Sequence, residues 1–307
     1  MILFASGRCD IPAYYANWFY QRIKVGFVDV RNPFDEHQIS RIPLTSYDID
    51  AILFCTKNPI PMLERLDELQ DIPYIFHITL TPYHQDIEKY VPTKRDILEA
   101  IKFLSKKLGP QRVVLRYDPI LLSDLYTIPY HIKAMKKLAQ ELHGYIETCI
   151  ISFVDEYKNT KKNMSHMRMK PMSEEDMRAI GKAFGEIGKT YGIHIQTCAE
   201  TIDLSMYGVE SGACVSKEIM TRLLGRPYDV KSTKNVRSCK CLPFVDIGDY
   251  NCCGHLCSYC YANYDEKQVC ERMKRHDPMS SVLLGNIGPE DHIKERKEKA
   301  SRQLSLL

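Results

Sequence analysis

The sequence predicts an α/β protein built as a (β/α) TIM-like barrel, closed or nearly closed, and three observations carry that prediction. Short runs rich in apolar and β-branched residues recur along the chain, a helical period follows them, and polar residues collect where each run ends. Length agrees, because 307 residues with 44% hydrophobic content can bury a full core without disulfides.

The expected strands, in order, are Ile2 to Ala5, Gly26 to Val30, Ala51 to Cys55, Tyr74 to Thr79, Arg112 to Tyr117, Tyr145 to Phe153 and Ile193 to Cys198, with Phe244 to Ile247 as an eighth. Helices fit at Pro12 to Lys24, Pro61 to Leu69, Lys94 to Leu108, Ile128 to Leu142 and Ser173 to Tyr191. Ser173, with Asp176 three residues on, reads as an N-cap, and Gly192 as the stop. Within that last helix, Gly185-Glu186-Ile187-Gly188-Lys189-Thr190 imitates a phosphate loop. Ala183 stands where the first glycine of such a loop belongs, and the segment follows an N-cap rather than a strand, so helix is expected.

A barrel gathers its active face where the strands end. Those ends carry Arg8, Asp10, Lys57, Thr79, Arg116 and Asp118, the expected lining of a polar cavity. Beyond Gly212 the alternation stops, giving way to a short helix from Ser216 to Leu224, a polar stretch from Lys231 to Arg237 and a cysteine-rich segment. The chain thus divides into barrel strands and helices over 1–212, a cysteine-rich segment completing the same domain over 213–290, and a charged tail over 291–307. In that tail, Ile293 to Gln303 alternates Lys, Glu and Arg and reads as a solvated helix or frayed end.

A formal net charge of +3, from 42 basic and 39 acidic residues, gives no global field that points to nucleic acid. No apolar run approaches the ~20 residues of a membrane span, and the N-terminus lacks a signal peptide, so a cytoplasmic protein is expected. In a reducing compartment twelve cysteines imply metal or redox chemistry rather than disulfides. Cys9, Cys55 and Cys149 lie in or beside apolar runs and are expected in the core, whereas Cys239, Cys241, Cys252, Cys253, Cys257, Cys260 and Cys270 crowd together.

Cys253, Cys257 and Cys260 form a C-x3-C-x2-C motif. Three thiolates on one loop can hold three irons of a 4Fe-4S cubane and leave the fourth iron open to a small molecule. Cys239, Cys241 and His255 with the same three could instead build a tetrahedral zinc site, but structural zinc favours paired C-x2-C knuckles over an odd three. Cys198, Cys214, Cys239 and Cys241 supply four further thiols, enough for a second, fully ligated cluster.

In its spacing, and in Tyr259 just before the last cysteine, the motif resembles that of the radical S-adenosylmethionine (SAM) superfamily. The resemblance implies SAM on the open iron, a 5′-deoxyadenosyl radical acting on an unknown substrate, Tyr259 near the adenine, and an electron donor such as a ferredoxin or flavodoxin. Basic residues of the cavity would hold the SAM carboxylate, and Asp10 or Asp118 its ribose or ammonium. In the superfamily the motif follows the first strand, whereas here it starts at Cys253. Circular permutation of a closed barrel, whose last strand neighbours its first, accommodates the difference.

Through Asp10-Ile11-Pro12, Thr56-Lys57-Asn58-Pro59, Arg116-Tyr117-Asp118-Pro119 and Asp246-Ile247-Gly248 with the cysteines, the chain is also similar to an uncharacterised prokaryotic family with a C-terminal cysteine cluster. The barrel segments resemble the spore photoproduct lyase and DNA-repair-lyase branch. Neither resemblance supplies a substrate, and a non-catalytic iron-sulfur or zinc protein that senses redox state or binds a partner is the competing expectation.

Overall fold

The computed structural model describes residues 1–69, 72–155, 157–165, 167–230 and 240–296. Its strands are β1 (Ile2–Ala5), β2 (Phe27–Asn32), β3 (Asp35–Pro43), β4 (Ala51–Thr56), β5 (Tyr74–Thr79), β6 (Val113–Ile120), β7 (Leu122–Ser123), β8 (Thr148–Phe153), β9 (Met169–Lys170), β10 (His194–Cys198), β11 (Val209–Gly212), β12 (Val245–Asp246) and β13 (His292–Glu295). The α-helices are α1 (Ile11–Tyr14), α2 (Ala16–Val25), α3 (Lys94–Leu108), α4 (Ile128–Leu142), α5 (Lys158–Asn163), α6 (Glu174–Tyr191), α7 (Lys217–Leu224) and α8 (Glu266–Met273). Ile60–Leu69, expected as α-helix, forms 3₁₀ turns that bury Met62, Leu66 and Leu69.

Eight strands make one sheet in the order β11-β10-β8-β6-β5-β4-β1-β12, every neighbouring pair parallel. Side chains alternate faces with period two. Leu3, Ile52, Phe54, Phe76, Ile78, Leu115, Tyr117, Cys149 and Ile151 join the large core that also takes buried residues from α2, α3, α4 and α6. Residues of the other parity, Ile2, Ala51, Leu53, Ile75, Val114 and Ile150, point to the opposite face. Along the same strands that parity continues into Cys55, His77, Thr79, Arg116, Asp118 and Cys198. One face is therefore apolar toward the strand starts and polar toward the strand ends.

The sheet does not close, which overturns the expected closed or nearly closed TIM-like barrel and the permuted barrel built on it. Among the described residues β11 pairs with β10 alone and β12 with β1 alone, so both are edges. Two features explain the opening. β12 spans 2 residues, Leu3↔Val245 and Phe4↔Asp246, and offers almost no backbone for a second ladder. The apolar residues that closure would bury are covered from within instead, by Met220 and Leu223 of α7 with Tyr228 and Leu242.

The run expected as a second parallel strand forms β2, but it pairs antiparallel with β3 in a separate sheet that β13 extends. β13 also corrects the expectation of a solvated helix from Ile293: His292–Glu295 is strand, in register with Gln38 to Arg41. The residues from 297 onward, and the polar stretch Lys231 to Arg237, lie outside the described residues. Among the described residues no helix is long and apolar enough to cross a membrane.

Local chemistry accounts for the helices. Thr93, Thr127 and Ser173 cap α3, α4 and α6 by accepting a backbone N–H, and Gly192 ends α6 at φ 67°. The glycines that imitated a phosphate loop are packing residues of α6. A Cβ at Gly185 would lie 1.9 Å from the Tyr207 carbonyl oxygen, and one at Gly188 2.5 Å from that of Ile193.

Candidate metal centres

The loop after β12 is anchored through Asp246, which accepts from Ser6 Oγ (2.6 Å), the Gly7 N–H (2.9 Å) and the Gly248 N–H (2.7 Å). A Cβ on Gly248 would stand 2.0 Å from Ser6 Oγ, so glycine is what lets the chain pass the end of β1. Asn251 at φ 53° and Leu256 at φ 49° turn the loop, and the Asn251 N–H to Ala262 carbonyl bond (2.9 Å) closes it. Outside bonds fix its path: Ser258 N–H to Ile87 C=O (2.9 Å), Tyr90 N–H to His255 C=O (3.2 Å), and the Asn159 amide to Cys260 C=O (3.0 Å).

This loop carries Cys253, Cys257 and Cys260. Burial pushes all three thiols up; Asp10, Cys260 and Cys257 add repulsion at Cys253, while Lys57 only partly offsets burial at Cys257. Burial and mutual repulsion thus oppose ionising the three thiols together, a cost that a shared cation would offset.

The surrounding charges are already organised. Asp10 accepts from Thr56 Oγ1 (2.6 Å) and the Lys57 N–H (2.7 Å), caps α1 through the Ala13 N–H (3.0 Å), and lies 2.9 Å from His255 Nε2. Glu88 is a buried hub that accepts from Lys57 Nζ (2.7 Å), the Tyr259 hydroxyl (2.6 Å), Thr81 and Lys94. Burial pushes its carboxyl up, but Lys57 and Lys94 outweigh that and bring it down to about 2. The Tyr259 ring packs 5.8 Å from Tyr83 with the Lys57 ammonium 5.4 Å above it. Arg8 is held at β12, donating to the Asp246 carbonyl at 2.9 Å, and Thr79 is buried at the end of β5. Of the expected cavity residues, then, Asp10 and Lys57 adjoin the cysteine loop, whereas Arg116 and Asp118 pair with each other beside a second group of thiols.

In that second group the sulfurs of Cys198, Cys214 and Cys241 all lie within 4.8 Å of one another. Cys198 ends β10, Cys214 follows β11, and the Leu242 N–H to Val215 C=O bond (2.9 Å) sets Cys241 beside them. Cys198 and Cys214 sulfurs are 2.8 Å apart, the Cys214 N–H donates to Cys241 Sγ at 3.2 Å, and Arg116 donates to Cys214 Sγ at 2.8 Å. Cys239 lies outside the described residues. The sulfurs of Cys253, Cys257 and Cys260 are not drawn into a group as compact.

Glu88 is the important residue that motif reasoning misses. Glu88 belongs to no spacing pattern: Thr81 and Lys94 are near it in sequence, but Lys57 and Tyr259 come from distant segments. Strand parity flags His77, which shares the face of Ile75 and Val114; its ring is fully buried, and among the described residues neither ring nitrogen has a hydrogen-bond partner. Cys9 and Cys252 are both buried, and Cys252 Sγ donates to the Asp249 carbonyl at 3.1 Å.

Fold and sites define an open parallel α/β protein with two separate sets of cysteine thiols near the C-terminal ends of its strands. The chain belongs to the family described as domain of unknown function (DUF1848), whose model matches residues 2–262, a span that includes both sets. No curated protein and no solved structure matches it.

Proposed function

We propose that this chain is an iron-sulfur enzyme of the radical SAM type, in which Cys253, Cys257 and Cys260 hold a 4Fe-4S cluster whose open iron takes SAM. What supports this is the loop itself: three mutually repelling thiols on one fixed turn, Cys257 buried and Cys253 and Cys260 partly so, that are not drawn within 4.8 Å of one another as the second group is. Tetrahedral zinc with bonds of ~2.3 Å draws its thiolates to roughly 3.8 Å of each other. In a cubane each thiolate binds its own iron and stands farther out. Once loaded, and given one electron by a donor such as a ferredoxin or flavodoxin in the cytoplasm, the cluster would supply the reducing electron that splits the S–C5′ bond of SAM into methionine and a 5′-deoxyadenosyl group able to take hydrogen from a substrate.

The chain's own residues prepare the site. Lys57, held by Glu88, places a positive charge beside Cys257 and offsets the thiolates. Tyr259 seals the loop against Tyr83 and so excludes water from one side. Arg116 is a second cation at the strand ends, available to a carboxylate only by sharing Asp118.

One observation favours the non-catalytic reading, a redox-sensing or partner-binding metal protein: Asp10, expected from its position to meet the ribose or ammonium of SAM, is engaged inside the protein by Thr56, the Lys57 N–H and His255. The two readings part on one experiment. Reduced with dithionite under argon, the iron-loaded protein should change its electron paramagnetic resonance spectrum on adding SAM and slowly release 5′-deoxyadenosine. An unchanged spectrum with no 5′-deoxyadenosine would leave the non-catalytic reading.

A further inference from the structure

Three thiols drawn from widely separated parts of the chain meet at the strand ends, and a buried imidazole without a hydrogen-bond partner among the described residues faces the same region. We propose that Cys198, Cys214 and Cys241 hold a single zinc-class cation, with His77 as the fourth protein donor, in place of a second iron-sulfur cluster.

The spacing of the sulfurs carries the choice of ion. All three lie within 4.8 Å of one another, closer than the thiolates of a cubane stand, and the 2.8 Å between Cys198 and Cys214 opens to roughly 3.8 Å when both bind one ion. Three sulfurs leave a tetrahedral ion one donor short. His77 lies on the face of the sheet that ends in Cys198, and it is near enough to Cys214 and Arg116 for both to act on it. Both of its nitrogens lack a hydrogen-bond partner among the described residues, a costly state for a buried imidazole that a metal bond relieves. Its ring nitrogens stand outside the compact group of sulfurs, so coordination requires the ring or the sulfurs to shift toward the ion. Arg116, donating to Cys214 Sγ at 2.8 Å, is the outer partner that steadies a metal-bound thiolate.

The site also has a place in the architecture. Cys198 and Cys214 flank the edge strand β11, while Cys241 lies on the segment that enters the opposite edge, β12. An ion at this point ties together the two ends of a sheet that no backbone ladder closes.

The test uses the full chain purified anaerobically. Metal analysis should find about one zinc per chain in addition to iron. Changing Cys253, Cys257 and Cys260 together to Ser should remove iron and leave the zinc, so failure of the loop cluster and failure of this site are told apart. Cys214→Ser should lose the zinc; should that variant fail to fold, cobalt loaded into the unaltered protein gives the same answer, because its absorption reports three thiolates and one nitrogen. His77→Ala should alter the cobalt bands and weaken zinc at least about 10-fold against a competing chelator. The proposal is overturned by iron near eight per chain without zinc, by cobalt that fails to bind, or by loss of zinc from the loop variant. A four-thiolate cobalt spectrum indifferent to His77→Ala and changed by Cys239→Ser would overturn it equally.

Discussion

Glu88 shows what a single buried charge contributes to this site. Its carboxyl is held at about 2, below its ordinary 4.5, because Lys57 and Lys94 outweigh the cost of burial. A depressed carboxylate stabilises the fold fully above its unfolded value, and that contribution drains away as pH falls from 4.5 toward 2. Glu88→Gln should therefore lower stability at neutral pH and flatten this acid limb, as read by urea unfolding across a pH series. Parallel acid limbs in variant and parent would show that Glu88 does not carry the charge balance. Tyr259 separates packing from hydrogen bonding at the same hub. Tyr259→Phe should cost about 1 kcal/mol for the lost bond, and Tyr259→Ala a further 2 kcal/mol or so for the cavity against Tyr83. Equal losses in thermal unfolding would contradict that division. At this scale the sequence is only half legible. The cysteine motif can be read by eye, but Glu88 owes its importance in part, and His77 wholly, to residues dozens of positions away.

At the scale of elements, legibility follows the range of the forces. Helix α4, Ile128–Leu142, coincides with its expected span, and α6 follows Ser173 as its cap predicts, because caps and periodicity act within a few residues. β3 goes unread: much of it is polar and exposed, with Ile39 and Ile42 its buried residues, and it exists because β2 and β13 pair with it. Likewise β13 is strand rather than helix through a partner that precedes it by hundreds of residues. The close approach of α6 gives an element-level prediction. Gly185→Ala would normally favour a helix, yet here its methyl would meet the Tyr207 carbonyl oxygen, so the variant should lose about 1–3 kcal/mol. Lys182→Ala, on an exposed position of the same helix, should be near neutral, and an equally mild effect at Gly185 would mean that the helix can shift away.

For the whole molecule, the alternation of strands and helices correctly signals a parallel α/β sheet, but closure cannot be read from it. Whether the first and last strands pair depends on how long β12 is and on what covers the face of Ile2, Leu53 and Ile75, and α7 lies in a segment that the alternation excludes. If the Cys198, Cys214 and Cys241 centre ties those open ends, removing its ion with a chelator should lower the unfolding temperature by several degrees, and re-adding zinc should restore it. An unchanged melting curve after complete zinc removal would deny the ion that role.

The central claim, a three-thiolate iron-sulfur cluster on the loop after β12, is tested most directly by iron and acid-labile sulfide in anaerobically purified protein beside its Cys257→Ala variant. The parent should be brown and contain about four iron and four sulfide per chain, and the variant should lose them while its circular dichroism stays unchanged. Iron that survives in Cys257→Ala, or a colourless parent with zinc in the loop, would contradict the account.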